Sequence, residues 1–232
     1  MRTTTLRAAA ITLLIVACAK EKRPDAATTT DTAAGATQTD ADQPQAGAGV
    51  PAGYTAITDK PDAKITDAKY SADGARWEVR TGPAHIIYAA NDTASGVYSV
   101  TATFEQLEKP RHPEAFGLIF GGQNLDDRAR QKYGYFLVRG GGEYLVKARD
   151  GTATTSVIDW KASPDVPKED ASGKATYKLT VHVAPDTVHF MVNGKTVGAA
   201  PKSALPTDGI AGLRINHNLH VAVSPVAIER GR

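Results

Sequence analysis

From Tyr54 onward the apolar residues recur at every second position, and this period limits the fold more than any other feature of the chain. Tyr98, Val100, Ala102 and Phe104 alternate with Ser99, Thr101 and Thr103. A backbone that sends every second side chain to one face is extended, because a helix needs a repeat of about 3.6. Phe116, Leu118 and Phe120 repeat the pattern, followed by Tyr135-Phe136-Leu137-Val138 and Tyr144-Leu145-Val146. Leu179, Val181 and Val183 precede Val188, Phe190 and Val192, and the runs Ile210 to Ile215 and Val221 to Ile228 close the chain. These segments are rich in the β-branched and aromatic residues that suit a pleated surface. Gly140-Gly141-Gly142, Asp150-Gly151, Asn193-Gly194 and Asp208-Gly209 separate them with turn chemistry. The single helix candidate is Leu125 to Lys132, polar and only one or two turns long. Many short strands joined by regular turns predict an all-β, two-sheet antiparallel sandwich.

Before Tyr54 the composition changes. Arg2 and Arg7 precede the apolar run Ala8 to Ala17, and Cys18 follows as the only cysteine of the chain. Charge, length and a small-residue end are the marks of a signal peptide. A run of about ten residues is half of what a bilayer span needs. Ile15-Val16-Ala17-Cys18 resembles the bacterial lipobox, which implies lipidation of Cys18 and a tether in an extracytoplasmic compartment. Ala19 in place of Asp after that cysteine implies the outer membrane for a Gram-negative source. Ala19 to Pro51 is mostly Ala, Thr, Asp, Gln, Gly and Pro, too poor in large apolar side chains to offset its ordering entropy. The expected organisation is a signal peptide over 1–17, a lipidated cysteine and disordered linker over 18–52, and a sandwich domain over 53–232.

Lys and Arg number 27 against 25 Asp and Glu, and loss of Arg2 and Arg7 with the signal leaves a balance of charge. Without a basic tract interleaved with aromatics, nucleic acid is not an expected partner. A lone cysteine excludes internal disulfides and thiolate metal clusters, so a core must hold the domain.

The order Phe116-Gly117-Leu118-Ile119-Phe120, Tyr133-Gly134-Tyr135-Phe136 and Trp160 is similar to the concanavalin A-like or laminin G-like jelly roll. So are Tyr177 to Val181 with Phe190-Met191-Val192-Asn193-Gly194-Lys195, and Gly209 to Arg214. The likeness covers about Tyr70 to Glu229 and extends to bacterial domains named for 3-keto-disaccharide hydrolysis. It implies a jelly-roll sandwich, and with it a carbohydrate ligand or a glycoside hydrolase activity. A fold of this kind hosts many activities, so the residues must decide.

Related β-glucanases carry alternating carboxylates on one strand, and no such run occurs here. Glu105 and Glu108 lie three apart and face opposite sides of an extended chain. Asn124, Asp126 and Asp127 offer oxygens suited to calcium, or else cap a polar turn. Centring a hairpin on Pro185-Asp186 sets His182 opposite His189, near enough to share a metal or to face a ligand. His217 and His220 are further candidates. Tyr133, Tyr135 and Tyr144 with Arg139, Lys147 and Arg149 could line a concave sugar-binding face, with Trp160 on a loop at its rim and Trp77 in the core. Gly140-Gly141-Gly142 lacks the lysine and helix of a phosphate loop. Nucleophile elbow, zinc-protease and dinucleotide motifs are missing from the sequence.

Three readings compete. The leading one is a tethered module that binds a glycan or envelope polymer, with no cofactor. The second is a hydrolase using an acid or base among Asp126, Asp127, Glu143, His182 and His189. The third is an envelope lipoprotein that binds another protein across a sheet.

Overall fold

The computed structural model describes residues 49–231, and the segment expected to be a signal peptide, Cys18 and most of the expected linker lie outside the described residues. Fifteen strands, numbered in chain order, make up nearly all of the regular structure described. They form two antiparallel sheets packed face to face. The first sheet runs β1 (Thr55–Thr58), β4 (His85–Ala94), β13 (Gly209–Ile215), β6 (Ala115–Gln123), β7 (Lys132–Arg139), β8 (Glu143–Asp150) and β9 (Ala153–Ala162). The second runs β12 (Lys195–Pro201), β11 (Thr187–Val192), β10 (Ala175–Val183), β5 (Tyr98–Gln106), β14 (His220–Val223), β3 (Arg76–Arg80) and β2 (Lys69–Asp73). A last strand, β15 (Ala227–Arg230), also pairs with β5. The expected all-β sandwich is therefore what the chain forms.

Alternation explains the main core. From the first sheet Phe116, Leu118, Phe120, Phe136, Val138, Tyr144 and Val146 point inward. They meet Val100, Phe104, Tyr177, Leu179, Val181, Val188 and Phe190 of the second. Phe104 stacks on Phe116 at 5.3 Å, and Phe136 lies 5.3 Å from Phe190. Aromatic pairs at such spacing add to the stabilisation from buried area.

The strand runs named from the sequence all occur, with three differences. Of the stretch Leu125 to Lys132, residues 125–131 form turns, not a helix, because Asp127 accepts from the N–H of Ala129 and from Arg130, and Lys132 already begins β7. The final run is broken at Ser224-Pro225 into β14 and β15, since proline has no N–H for a ladder. Trp160 lies within β9, not on a loop.

The β10–β11 hairpin has the register read from its sequence. His182 pairs with His189, Val183 with Val188 and Val181 with Phe190. The far end of β11 turns through Asn193 and Gly194, at φ 51° and 81°. Two successive residues at positive φ make the tight turn that fits strand twist, and this dipeptide adopts it at least cost.

Candidate functional site

The outer face of the first sheet carries a second apolar cluster, including Ile86, Tyr88, Ile119, Tyr133, Tyr135, Leu137 and Leu145. Arg214 sits in its midst and is only 9% exposed. The register places Arg214 beside Ile86 of β4 and Gly117 of β6, and Gly117 beside Leu137 of β7. Gly117 cannot be replaced without movement, because a Cβ there would lie 2.1 Å from the Phe136 carbonyl oxygen. The guanidinium reaches Asp59 through two nitrogens, at 2.8 and 2.5 Å, and lies 5.3 Å from the Tyr135 ring centre. Burial alone would raise the Asp59 pKa, but the Arg214 hydrogen bonds and charge outweigh it and hold the carboxylate below its ordinary range. The same partner keeps Arg214 charged against the cost of its burial.

The floor beside this pair is fixed from below. Asp59 N–H donates to Ala84 O at 2.9 Å. His85 is fully buried, its Nδ1 set 2.8 Å from Pro83 O and its Nε2 against the Tyr70 hydroxyl. Burial pushes the imidazole down to about 4, so it is neutral at pH 7 and donates to the carbonyl while accepting from the tyrosine.

Two clefts open along this end of the sheet. The larger, about 940 Å³, is lined by Asp59, Lys60, Lys64, Glu114, Arg214, Asn216 and His217 among others. The smaller, about 280 Å³, is lined by His112, Glu114, Arg139, Gly140, Glu143 and Glu169 among others. Glu114 belongs to both. One row of the sheet explains the arrangement. Asn216 N–H donates to Ala115 O, Ala115 pairs with Arg139, Arg139 with Glu143, and Glu143 with Ala162. Arg139 is bonded to Glu143 at 2.7 Å and its guanidinium lies 4.2 Å from the Trp160 ring centre. The Arg139 hydrogen bond holds the Glu143 carboxylate below its ordinary range. Trp160 is 38% exposed, one of the few large apolar side chains open to solvent among the described residues. From β9 to β13 there are four strand spacings, so the row spans roughly 19 Å.

The residues nominated from sequence divide between the two sheets and the core. Tyr133, Tyr135, Arg139, Lys147 and Trp160 belong to the first sheet, with Tyr133 and Tyr135 on its outer face but closed in at 1% and 7% exposure. Tyr144 points the other way, between the sheets, and its hydroxyl donates to Val197 O at 2.6 Å. A one-residue difference in strand position decides which side a residue faces. His182 and His189 stand on the second sheet, their rings stacked at 6.1 Å and His182 Nδ1 2.9 Å from Ser99 Oγ. Asn124, Asp126 and Asp127 lie in the turn between β6 and β7, where Asp127 is engaged by Arg130. Trp77 packs at the edge of the core, 4.5 Å from Tyr54.

Asp59, His112 and Glu114 were not nominated from sequence. Each is a polar residue in a loop, and nothing local marks it. Arg214 offered one usable signal, a charge inside the apolar run Ile210 to Ile215.

No family model and no curated protein matches this chain in sequence. Its fold does match solved structures. One is the carbohydrate-binding module CBM66 from Bacillus subtilis, 14% identical, with a TM-score of 0.55 over 76% of this chain and 95% of that one. Another is a Bacillus subtilis protein of unknown function with a galectin-like fold, 14% identical, with a TM-score of 0.57 over 76% of this chain and 89% of that one. The sandwich is galectin-like. At such identity the likeness is one of fold.

Proposed function

We propose that this chain is a carbohydrate-binding module, tethered to the bacterial envelope through Cys18 and binding its glycan along the face from Trp160 to the cleft beside Asn216 and Arg214. One observation carries the reading. An open indole, a guanidinium–carboxylate pair and a polar cleft stand in line on one sheet face. Sugars present apolar CH faces to aromatic rings and hydroxyls to planar polar groups, and this line offers both. Arg139 and Glu143 supply donors and acceptors beside Trp160, and Asn216 and Glu114 continue them toward Arg214. CBM66 is named a carbohydrate-binding module, and the same sandwich here supports that class of ligand.

The two arginine-paired carboxylates of the site suit binding better than hydrolysis. Glycoside cleavage needs one carboxyl group kept protonated as the acid. Asp59 and Glu143 are both held below their ordinary range by arginine partners, so neither carries a proton near neutral pH.

A glycan array probed with the full chain, with released sugar measured for every captured glycan, tests the reading. Capture that falls in Trp160→Ala and Arg139→Ala, without sugar release, is expected. Capture indifferent to both substitutions, or turnover of the captured glycan, would overturn it. Mass spectrometry of the membrane fraction, compared with Cys18→Ala, tests the tether, and an unmodified Cys18 would remove it.

A further inference from the structure

The wall shared by the two clefts gathers three metal-ligating side chains from distant parts of the chain. His112 comes from the loop before β6, Glu114 from its last residue, and His217 from the turn between β13 and β14. Nitrogens of the two histidines and a Glu114 oxygen all lie within 4.8 Å of one another. We propose that His112, Glu114 and His217 form a binding site for a divalent transition-metal ion of the zinc class. This goes beyond the glycan reading and does not depend on it.

Geometry supports the site first. Ligand atoms around a tetrahedral zinc ion at about 2.0–2.1 Å are about 3.3 Å apart. His217 Nε2 is 2.9 Å from Glu114 Oε1 and His112 Nε2 is 3.9 Å from the same oxygen, so small rotations bring both to that spacing. The two rings stand edge to face at 4.9 Å, with both Nε2 atoms turned toward the carboxylate.

The surroundings hold these donors in place. Asn216 Nδ2 donates to Glu114 Oε2 at 3.2 Å, leaving Oε1 toward the imidazoles. His112 Nδ1 is 2.9 Å from the side-chain amide of Asn218, which fixes the ring and aims Nε2 at Glu114. With a metal on Nε2 the proton stays on Nδ1, and the Asn218 amide presents its oxygen after a half-turn. Asn218 is itself buried and held at φ 55°. Its turn is pinned by Thr81, whose hydroxyl donates to Asn216 O at 2.8 Å and accepts from Leu219 N–H at 3.0 Å. Asn216 Oδ1 is buried and has no hydrogen-bond partner among the described residues. It is one more oxygen left over at the same wall.

The donor set chooses the ion. Two imidazoles and one carboxylate suit zinc and its neighbours, whereas calcium and magnesium take oxygen ligands. Three protein donors leave a tetrahedral ion one position short. That position would be taken by water or by an oxygen of a molecule lying in a cleft.

The test uses the full chain in detergent, stripped of metal, and titrated with Zn²⁺ alone against a chromogenic chelator. One zinc per chain is expected. His112→Ala and His217→Ala should each abolish that stoichiometric site, and Asn218→Ala should weaken it by about tenfold or more while keeping its stoichiometry. The paired substitution His182→Ala with His189→Ala should leave it intact. His112 is exposed and His217 half-buried, neither belongs to the apolar core, and circular dichroism checks the fold of each variant. Absence of a stoichiometric site in the unaltered chain, or one that survives both His112→Ala and His217→Ala, would overturn the proposal. No glycan is present in the titration, so its outcome is independent of the glycan reading.

Discussion

Two pairs of histidines stand in different parts of this sandwich, one on a hairpin of the second sheet and one in loops that join the two sheets, and they are built differently. His182 and His189 sit side by side on one hairpin, seven residues apart in sequence, over strands whose inner faces fill the core. His112 and His217 come from loops 105 residues apart, converge on Glu114, and border a buried arginine pair. The hairpin pair follows from local register and has Ser99 as its polar neighbour. The loop pair rests on two connections between the sheets and on the turn pinned by Thr81. A locally built arrangement should tolerate substitution, and one assembled from distant parts should not.

The largest expected difference is at Asp59. Asp59→Ala leaves the Arg214 charge buried without its partner and should lower unfolding stability by about 3–5 kcal/mol. The double variant Asp59→Ala with Arg214→Met should recover much of the loss, because no charge then remains to be desolvated. Urea unfolding checks both, and a double variant as weak as the single one would show that the pair's role is not electrostatic.

Next in size is the buried imidazole beneath the cleft. His85 is lowered from its ordinary 6.5 to about 4 in the folded state. Between these values the unfolded chain binds a proton that the folded chain refuses. Its contribution is therefore whole above pH 6.5 and is lost as pH falls toward 4, by about 3 kcal/mol in all. Unfolding measured across that interval should show the gap between the native chain and His85→Gln narrowing as acid is added. A constant gap would mean that the imidazole keeps its ordinary pKa when folded.

A smaller effect is expected at the open end of the row. Trp160→Ala should weaken any captured glycan about tenfold while leaving the melting temperature nearly unchanged, since the indole is already partly in water. The least effect is on the second sheet. His182→Ala or His189→Ala should cost no more than about 1 kcal/mol, the scale of one half-exposed hydrogen bond. A cost near that of Asp59→Ala would erase the contrast between the two regions.

How much of this was legible beforehand varies with the range of the interaction. The strands with clear alternation were, from Tyr98–Phe104 to Val188–Val192. β4 was not, because His85-Ile86-Ile87-Tyr88 is buried on both faces and shows no alternation. β9 and β12 were missed because edge strands are polar or small and lack an apolar stripe. In the candidate site, Arg139 and Trp160 lie against one another, whereas Tyr144 turns inward.

The sequence alone determined that the chain is extended, where its turns fall, and how β10 and β11 pair, because these follow from side-chain alternation and turn residues a few positions apart. Only the tertiary structure decided that Asp59 meets Arg214 and that His112, Glu114 and His217 share one wall. Those meetings are set by strand order and by the packing of loops at the sheet's end, and no local pattern in the chain encodes either one.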